Sequence, residues 1–393
     1  MKIVVKPKDF LSKFRLAASV TASTDSQPIL KWVKMTADNE TGSLLQATDG
    51  DVAIWLRADC NIDKGGTMLL PAKRMAQILA MTSEEQLTIK YTESECTENE
   101  LLISGDREHY AISTFLPDEF PDIDELKATA YHEIPANALR EMIRRTIFAT
   151  DAENLAYALG GVCFSMEGDN ISVVATDGRR LAWQEGYGKG VNDHNADTAI
   201  VSAKTLQILD RLLGDKLIGD TDTVKMALHV TTDDSNNTSG SVMFQCQEIT
   251  LVSRLIHGRF PKWRTIIPVT EGIPKTDGYT PAIIPCGELL TDALKGQAGT
   301  DENDPGILFT FADHTLTLQG KGSTKGVTKI TLPIVFDGEP KTLKLDATYV
   351  VEFLRVLPGT MALSFYVPPD NDPVKITADD GGYVYIVMPM IKG

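Results

Sequence analysis

Six stretches of the chain share one pattern of apolar and polar positions. In each, a short apolar, β-type run leads to a proline, a serine or an aspartate, and a helical pattern follows. These anchor residues are Pro7, Pro71, Pro135, Ser202, Pro285 and Asp346. Proline suits a helix start because its φ is preset and it lacks an N–H that would be unpaired there, whereas serine and aspartate cap free N–H groups. The pattern predicts a strand followed by a helix, six times.

Apolar residues recur four and seven positions after the anchors. At four they are Leu11, Met75, Leu139, Leu206, Leu289 and Val350; at seven they are Phe14, Ile78, Met142, Leu209 and Phe353, with Asp292 the exception. This spacing turns one face of each helix toward a sheet. Any α+β protein has two or three amphipathic helices after strands, but six in one register indicate an internal repeat.

The repeat predicts the domain organisation. The length of 393 residues allows two to four domains. Pairing the units predicts three: residues 1–128, 129–272 and 273–393, with linkers near 126–130 and 268–279, where proline, glycine and polar residues cluster. Alternating strands with hairpin signals, as in 172–182, fill the remainder. The predicted fold class is α+β, with each domain an antiparallel-rich sheet layer carrying two helices.

Composition adds the class of protein. Apolar residues make up 42% of the chain and charged residues 23%, as in a soluble globular protein. The N-terminus has no apolar signal region, and no apolar run approaches the roughly eighteen residues that span a bilayer, so we expect a cytoplasmic protein. The five cysteines are far apart and never form a CxxC pair, which indicates neither a disulfide framework nor a thiolate zinc site.

The distribution of charge changes this picture. The chain has a formal net charge of −16, yet its six predicted helices carry twelve basic and seven acidic residues. Lysine and arginine are ordinary on the solvent face of a helix, and the basic excess alone favours this ordinary interpretation over a binding surface. Six equivalent helices, however, can present their bases on one face, which suits a polyanion bound through its phosphates without regard to sequence.

Motifs that carry chemistry are few. The six histidines are scattered, and the chain has no HExxH, nucleotide-binding GxGxxG or GxxxxGK[ST], or GxSxG motif. The acids at 301–304 are more typical of a solvated loop than of a metal site. We therefore predict no enzyme, no cofactor and no metal. A hydrolase using Asp177 or these acids with Mg²⁺ ranks last, because no base, nucleophile and orienting group occur together.

Two further features indicate turns and a binding surface. Asp-Gly pairs recur at 49–50, 177–178 and 380–381, and such pairs favour tight hairpins. The C-terminal run ends in Met388-Pro389-Met390, which suits either a last core strand or an adaptable apolar groove for a short hydrophobic peptide.

Together with the repeat, several motifs resemble the bacterial sliding clamp family, the β subunit of DNA polymerase III. They are the N-terminal MKIVVKPKDFL, Gln27–Leu30, Val174–Ala182, Gly258–Pro261 with Pro268, and Val387–Met390. The resemblance covers essentially the whole chain. It implies a head-to-tail homodimer, a ring of six similar domains whose helices line a central hole around duplex DNA while the sheets face outward. Such a ring is a processivity factor in DNA replication, and closing head-to-tail contacts give a ring rather than a filament.

The resemblance also implies a partner-peptide pocket between the second and third domains, with apolar members that accept a leucine and an aromatic residue. It comprises Leu159, Thr176, Gly178, Arg179, Arg180, Leu181, Pro261, Ile266, Tyr349, Ile386, Val387, Met388, Pro389 and Met390. Thr265 and Ala158 stand where relatives often have arginine and tyrosine, and the tail ends Ile391-Lys392-Gly393 without an arginine. We expect partner binding to be retained with a different preferred peptide.

Two further sets complete the prediction. The DNA-facing bases are Lys13, Arg15, Lys73, Arg74, Arg140, Arg144, Arg145, Lys204 and Arg211. The dimer interface joins Arg107, Tyr110 and Ile112, with Lys73 and Arg74, to Lys295, Asp301 and Glu302 of the other chain. The implied partners are double-stranded DNA, the polymerase III catalytic subunit, the clamp loader and repair proteins carrying clamp-binding motifs. A repeat scaffold that binds only proteins is the alternative.

Overall fold

The structure is a computed structural model that describes residues 1–22, 27–92, 99–123, 128–151, 158–232, 238–267, 269–270, 273–274, 277–323, 325–378 and 382–390. Its α-helices are α1 (Pro7–Ala18), α2 (Ala72–Met81), α3 (Ala136–Thr146), α4 (Ala203–Leu213), α5 (Trp263–Ile266), α6 (Cys286–Ala298) and α7 (Ala347–Arg355). Six of these follow the six predicted anchors, and α5 is an additional short turn. None of the described helices has the length and apolar character required to cross a lipid bilayer.

The anchors act as helix caps, with one shift in register. The Ser202 hydroxyl accepts the Thr205 N–H at 3.1 Å, and the Asp346 carboxylate accepts the Thr348 N–H at 2.8 Å. In the first unit the cap is Lys6, and Pro7 is the first helical residue, where its missing N–H costs nothing. The predicted alignment is therefore wrong by one residue in that unit.

The predicted apolar face is buried at ten of its twelve positions. The shifted cap explains one exception, because Phe10, four residues after Lys6, is buried in place of the half-exposed Leu11. Asp292 is the other exception. It forms an ion pair with Lys295, while its neighbour Ala293 packs in the core. The helices pack in pairs, α1 with α2, α3 with α4, and α6 with α7, over the sheets.

The strands before residue 130 are β1 (Lys2–Val5), β2 (Trp32–Asp38), β3 (Gly42–Thr48), β4 (Val52–Arg57), β5 (Asn61–Lys64), β6 (Gly66–Pro71), β7 (Leu87–Thr92), β8 (Glu100–Ser104) and β9 (His109–Ser113). Those of the central part are β10 (Tyr131–Pro135), β11 (Gly161–Glu167), β12 (Asn170–Thr176), β13 (Arg180–Tyr187), β14 (Lys189–Val191), β15 (Ala196–Ser202), β16 (Thr223–Thr232), β17 (Thr238–Cys246) and β18 (Ile249–Arg254).

The remaining strands are β19 (Val269–Thr270), β20 (Ile273–Pro274), β21 (Thr280–Pro285), β22 (Gly306–Ala312), β23 (Thr315–Gly322), β24 (Gly326–Pro333), β25 (Val335–Phe336), β26 (Lys341–Asp346), β27 (Ala362–Val367), β28 (Val374–Ala378) and β29 (Tyr383–Val387). Strands β19 and β20 form a small two-stranded sheet at the predicted second linker, and parts of both predicted linkers lie outside the described residues.

Two sheets continue across the predicted domain boundaries. One nine-stranded sheet runs β14-β10-β16-β17-β18-β4-β3-β2-β6, so that β18 of the central part pairs with β4 of the first part. The other runs β15-β11-β12-β13-β29-β28-β27-β21-β25, and there β29 pairs with β13. Both junction pairs are antiparallel. The three parts are therefore joined through backbone hydrogen bonds, and the predicted α+β repeat is confirmed.

The two ends of the chain carry incomplete sheets. The first part ends in a five-stranded sheet, β5-β1-β7-β8-β9, and the last part in a four-stranded sheet, β24-β23-β22-β26. By position in the repeat, β9 is the equivalent of β18 and β29, and β24 is the equivalent of β4 and β13. Each of these equivalents pairs at a junction, whereas β9 and β24 are edge strands. An exposed edge presents unpaired N–H and C=O groups to another strand.

Candidate functional site

The turn between β12 and β13 holds the central residues of the predicted pocket. The Thr176 hydroxyl donates to the Arg180 carbonyl at 2.6 Å and accepts the Gly178 N–H at 3.1 Å. One Asp177 carboxylate oxygen accepts the Arg179 and Arg180 N–H groups, each at 2.9 Å. Gly178 has φ +87°, which confirms the predicted tight hairpin. The turn of residues 48–52 is built alike; Asp379, Asp380 and Gly381 lie outside the described residues.

Arg180 joins the second and third parts of the chain at this turn. Its guanidinium donates to Asp177 at 2.9 Å, to Glu352 of α7 at 2.5 Å and to the Phe148 carbonyl at 2.7 Å. The guanidinium also lies over the Tyr349 ring, 4.3 Å from its centroid. Arg180 is only 8% exposed. It therefore lies beneath the surface of the predicted pocket, where it positions the turn and α7.

An apolar layer lies beneath the pocket on the β13–β29 pair. Leu181 stands opposite Ile386 across the two strands, and both pack with Leu159. Phe260 and Trp263, which the sequence prediction missed, cover this layer, and the Trp263 ring lies 5.9 Å from that of Trp183. A Phe-Pro step before an aromatic residue, Phe260-Pro261-Lys262-Trp263, is the sequence signal that would have found them.

The exposed rim is smaller than the predicted set. Gly178 and Arg179 are exposed. Ile266 and Met388 are also exposed, with 46% of the surface of each accessible. Pro261, Tyr349, Pro389 and Met390 are half-buried, and the Met390 N–H donates to the Lys344 carbonyl at 2.7 Å. The Met388 N–H donates to the Arg179 carbonyl at 2.9 Å, which holds the C-terminal segment against the turn. Of the predicted set, Leu159, Leu181 and Ile386 thus share one buried layer, and Met388 is joined to the exposed turn that carries Gly178 and Arg179.

Val387 does not belong to this set. It is fully buried and packs in the main core, on the face of β29 opposite to that of Ile386. Successive side chains of a strand point to opposite faces, so Ile386 and Val387 cannot line one groove. Ala158 is buried in the layer beneath the pocket, and Thr265 is exposed beside Ile266; Ile391, Lys392 and Gly393 lie outside the described residues.

The predicted DNA-facing bases divide into paired and unpaired groups. Lys13 pairs with Asp59, Lys204 pairs with Asp49, and Arg140 and Arg144 share Asp210 at 3.0 and 2.7 Å. Within the described part of the chain, no ion pair is seen for the other exposed bases, which are Arg15, Lys73, Arg74 and Arg211. Among the predicted DNA-facing bases, these four therefore carry the positive charge that no described acid neutralises.

Arg145 corrects the prediction. It is 4% exposed, pairs with Glu141 at 2.5 Å, donates to the Gln184 side chain at 2.9 Å and stacks on the Tyr383 ring. A guanidinium enclosed in this way cannot reach a phosphate outside the protein. It joins α3 to the β13–β29 pair, since the Tyr383 hydroxyl in turn donates to the Arg145 carbonyl at 2.6 Å.

The predicted interface residues lie at the two ends of the chain. Tyr110 and Ile112 are on the edge strand β9, and Arg107 is exposed in the preceding turn. Lys295 is on α6, and Asp301 and Glu302 follow that helix. The Ser323 N–H, which donates to Asp301, and nearby Lys325 lower the pKa of that carboxyl group. Edge strand β24, with Val327 61% exposed, is the part of this end that the prediction missed.

The buried thiols are poor candidates for chemistry. Burial raises the pKa of Cys163 to about 12 and that of Cys286 to about 11. A thiol that remains protonated near neutral pH is a weak nucleophile. Among the described residues, no group of three metal-ligating side chains was found.

Comparison with known proteins identifies the family. Residues 1–124 match the model of the DNA polymerase III beta subunit, N-terminal domain, and residues 133–262 match that of its central domain. These ranges cover more than half of the chain.

The chain belongs to the DNA polymerase III beta subunit family.

Relatives of this family match over the full length. The beta sliding clamp of Chlamydia pneumoniae is 22% identical and covers 99% of both chains. The crystal structure of the Pseudomonas aeruginosa subunit beta is 22% identical, with TM-score 0.84 and 100% coverage of both chains. A second crystal structure of the Pseudomonas aeruginosa sliding clamp, bound to griselimycin, has TM-score 0.86 at 21% identity. The predicted family resemblance and clamp fold are confirmed, and the protein-only scaffold is not favoured.

Proposed function

We propose that two copies of this chain close head to tail into a ring around duplex DNA and tether the replicative polymerase to its template. Family membership supports a sliding clamp. The observation that carries the closed ring is the strand count of the sheets: each internal junction is one sheet of nine strands, while the two ends carry sheets of five and four. Joining the β9 edge to the β24 edge of a second copy completes another nine-stranded sheet.

The repeat also predicts the register of this joint. In the first junction Ala53 stands opposite Val252, and in the second Leu181 stands opposite Ile386. Following the strand pairs through the repeat, Val327 is the equivalent of Ala53 and Leu181, and Ala111 is the equivalent of Val252 and Ile386. We therefore expect an antiparallel pair in which Val327 of one chain lies opposite Ala111 of the other, with Thr328 opposite Tyr110.

Exposed apolar side chains at both ends support the same joint. Val327 on β24 is 61% exposed and Leu294 on α6 is 37% exposed, while Met81 at the end of α2 is 84% exposed. Helix α6 packs beside β24. Burying these side chains between two copies stabilises a dimer by the hydrophobic effect. Surface ion pairs of Lys295 or Arg107 would add only little to the stability of that dimer.

The helix surface and the groove supply the two remaining activities. Arg15, Lys73, Arg74 and Arg211 provide free positive charge for phosphates, and a closed ring needs no tighter grip because topology holds it on DNA. The rim formed by Arg179, Ile266 and Met388 over the apolar layer is the proposed docking site of the polymerase, the clamp loader and other partner peptides.

A cysteine cross-link combined with DNA retention tests this function. The chain carrying Ala111→Cys and Val327→Cys should form an oxidised dimer, because directly opposite Cβ atoms lie about 4.5–5.5 Å apart. The control chain, Ala111→Cys with Lys329→Cys, is displaced by two residues along the strand and should not cross-link. When the ring is oxidised after it has been loaded on DNA, it should remain on circular DNA and slide off once that DNA is linearised. Absence of the cross-link would reject the joint, and equal retention on both DNAs would reject encirclement.

A further inference from the structure

An open cleft lies at the other internal junction, between β4 and β18. Its volume is about 510 Å³, within the roughly 300–1,000 Å³ typical of ligand sites. The turn of residues 48–52 forms one side, and the segment Pro121–Ile123 forms another. The proposed docking site at the β13–β29 junction, with Arg179, Ile266 and Met388 on its rim, is called the partner groove below. The junction of β4 and β18 repeats its architecture one domain earlier in the chain.

The two turns are matched bond for bond. The Thr48 hydroxyl donates to the Val52 carbonyl at 2.8 Å and accepts the Gly50 N–H at 3.0 Å, as Thr176 does with Arg180 and Gly178. Asp49 accepts the Asp51 and Val52 N–H groups at 3.0 and 2.9 Å, as Asp177 does in its own turn. Both junctions therefore present the next residue of the turn, Asp51 or Arg179, at the same place on the rim.

The apolar floor is also repeated. Ala53 and Val252 occupy the strand positions of Leu181 and Ile386, and buried Leu30 takes the place of Leu159. The covering segment Phe120-Pro121 corresponds to Phe260-Pro261, and Phe120 is 3% exposed. The smaller side chains of Ala53 and Val252 leave more open space above the floor.

The charge on the rim is reversed. Asp51 stands where the partner groove has Arg179, and Asp122 stands where it has Lys262, all four residues being exposed. Exposed Arg254 takes the position of Met388 and is the one basic residue among the described residues that line this cleft. Asp49 does not add to the free negative charge, because Lys204 of α4 pairs with it across the junction.

We propose that this cleft is a second peptide site, which takes an extended segment with an aliphatic or aromatic residue next to lysine or arginine. The inference rests on the proposed partner groove, of which the cleft is the repeat equivalent. A partner with a basic flank fits Asp51 and Asp122, and a partner with an acidic flank fits Arg179 and Lys262. Each chain thereby presents two grooves that sort partners by charge.

Two synthetic peptides test the site on the full dimeric protein. They share a leucine–phenylalanine centre and carry a benzophenone, with lysines flanking the centre in one and aspartates in the other. The lysine-flanked peptide should cross-link to the cleft between β4 and β18, and the aspartate-flanked peptide to the partner groove. Binding of the lysine-flanked peptide should weaken as salt rises, since the rim charges are exposed.

Charge exchange gives the decisive measurement. Asp51→Arg with Asp122→Lys should weaken binding of the lysine-flanked peptide about tenfold and favour the aspartate-flanked peptide at this cleft. The matched control, Glu40→Arg with Glu85→Lys, makes the same change of net charge on exposed residues elsewhere and should leave its affinity unaltered.

The outcomes separate this inference from the proposed function. Cross-linking of the lysine-flanked peptide only at the partner groove, or equal effects of the exchange and its control, overturns the second site while the first stands. A failure of the aspartate-flanked peptide to reach the partner groove would count against the proposed function and is measured independently.

Discussion

His132 and His194 meet through their Nδ1 atoms at 2.7 Å in the interior of the central part of the chain. His194 Nε2 accepts the Leu228 N–H at 3.0 Å, and His132 Nε2 lies 2.8 Å from the Gly168 carbonyl. The Leu228 donor requires an unprotonated Nε2 on His194, so that its proton sits on Nδ1 and is donated to His132, which in turn donates from Nε2 to Gly168. The pair is fully bonded only when both rings are neutral.

This arrangement predicts a loss of stability at mildly acidic pH. Burial, together with nearby His132, lowers the pKa of His194. The unfolded chain therefore takes up more protons once pH falls below the unperturbed histidine pKa of about 6.5, and the free energy of unfolding decreases from there downward. Denaturant unfolding near pH 7.5 and pH 5.5 should show this decrease in the wild type and a smaller one in His194→Gln. His229→Gln, at an exposed position, should keep the full decrease; an identical decrease in His194→Gln would contradict the assignment.

The Arg180–Glu352 pair predicts how the second junction loses stability. Removing the buried guanidinium by Arg180→Ala leaves Asp177 and Glu352 without their partner and should cost about 3 kcal/mol. Glu352→Gln removes one charge at a partly exposed site and should cost about 1 kcal/mol. Lys295→Gln, which removes the exposed base from its pair with Asp292, is the control and should cost less than about 0.5 kcal/mol. Urea unfolding measures all three, and equal effects of the Arg180 and Lys295 variants would exclude a clamping role.

The unpaired helix bases predict the salt dependence of DNA association. Each phosphate contact contributes about 0.9 to the slope of log affinity against log salt. Arg15→Gln with Arg74→Gln should therefore reduce the slope by about 2 on circular DNA. Lys64→Gln with Lys90→Gln changes the net charge equally on exposed residues of the sheets and should leave the slope unchanged. A reduction by the control pair as large as that by the helix pair would indicate a general charge effect.

The groove rim predicts which substitutions uncouple the polymerase. Ile266→Asp with Met388→Asp places two charges on the exposed apolar rim without touching buried Val387, so the fold and the dimer should persist. Stimulation of polymerase processivity should fall at least about tenfold, because desolvating a carboxylate against an apolar peptide is unfavourable. Val335→Asp, at an exposed apolar position elsewhere on the surface, should have little effect. Undiminished stimulation by the double variant would remove the groove as the docking site.

Much of the fold follows from local signals. The six anchors mark helix starts because proline, serine and aspartate act within one turn of the chain. Asp-Gly pairs at 49–50 and 177–178 specify their hairpins by the same local chemistry. The error at Pro7 has a local cause too, since proline fits both the cap and the first helical position, and only the burial of Phe10 in place of Leu11 separates them.

Other features depend on contacts between distant residues. From its place in the helical pattern, Arg145 is predicted to be a surface base. Only its contacts with Gln184 and Tyr383 remove it from solvent. Val387 follows Ile386 in one apolar run, and strand alternation places the two residues on opposite faces. Only the tertiary packing decides that Val387 faces the main core and Ile386 the layer with Leu159. The reversed charge of the first junction likewise depends on bringing Asp51 and Asp122, far apart in the chain, onto one rim.

The amino-acid sequence by itself determined the repeat, the helix starts, the hairpins and the family, because each of these is encoded in residues close together or in the order of such segments. The tertiary structure alone decided which bases are free of ion pairs and whether a strand residue faces the core or the solvent. It also decided that the first part carries a five-stranded sheet and the last part a four-stranded sheet, each with an unpaired edge strand. Burial and strand partnership depend on what packs from elsewhere in the chain, and no local pattern carries that information.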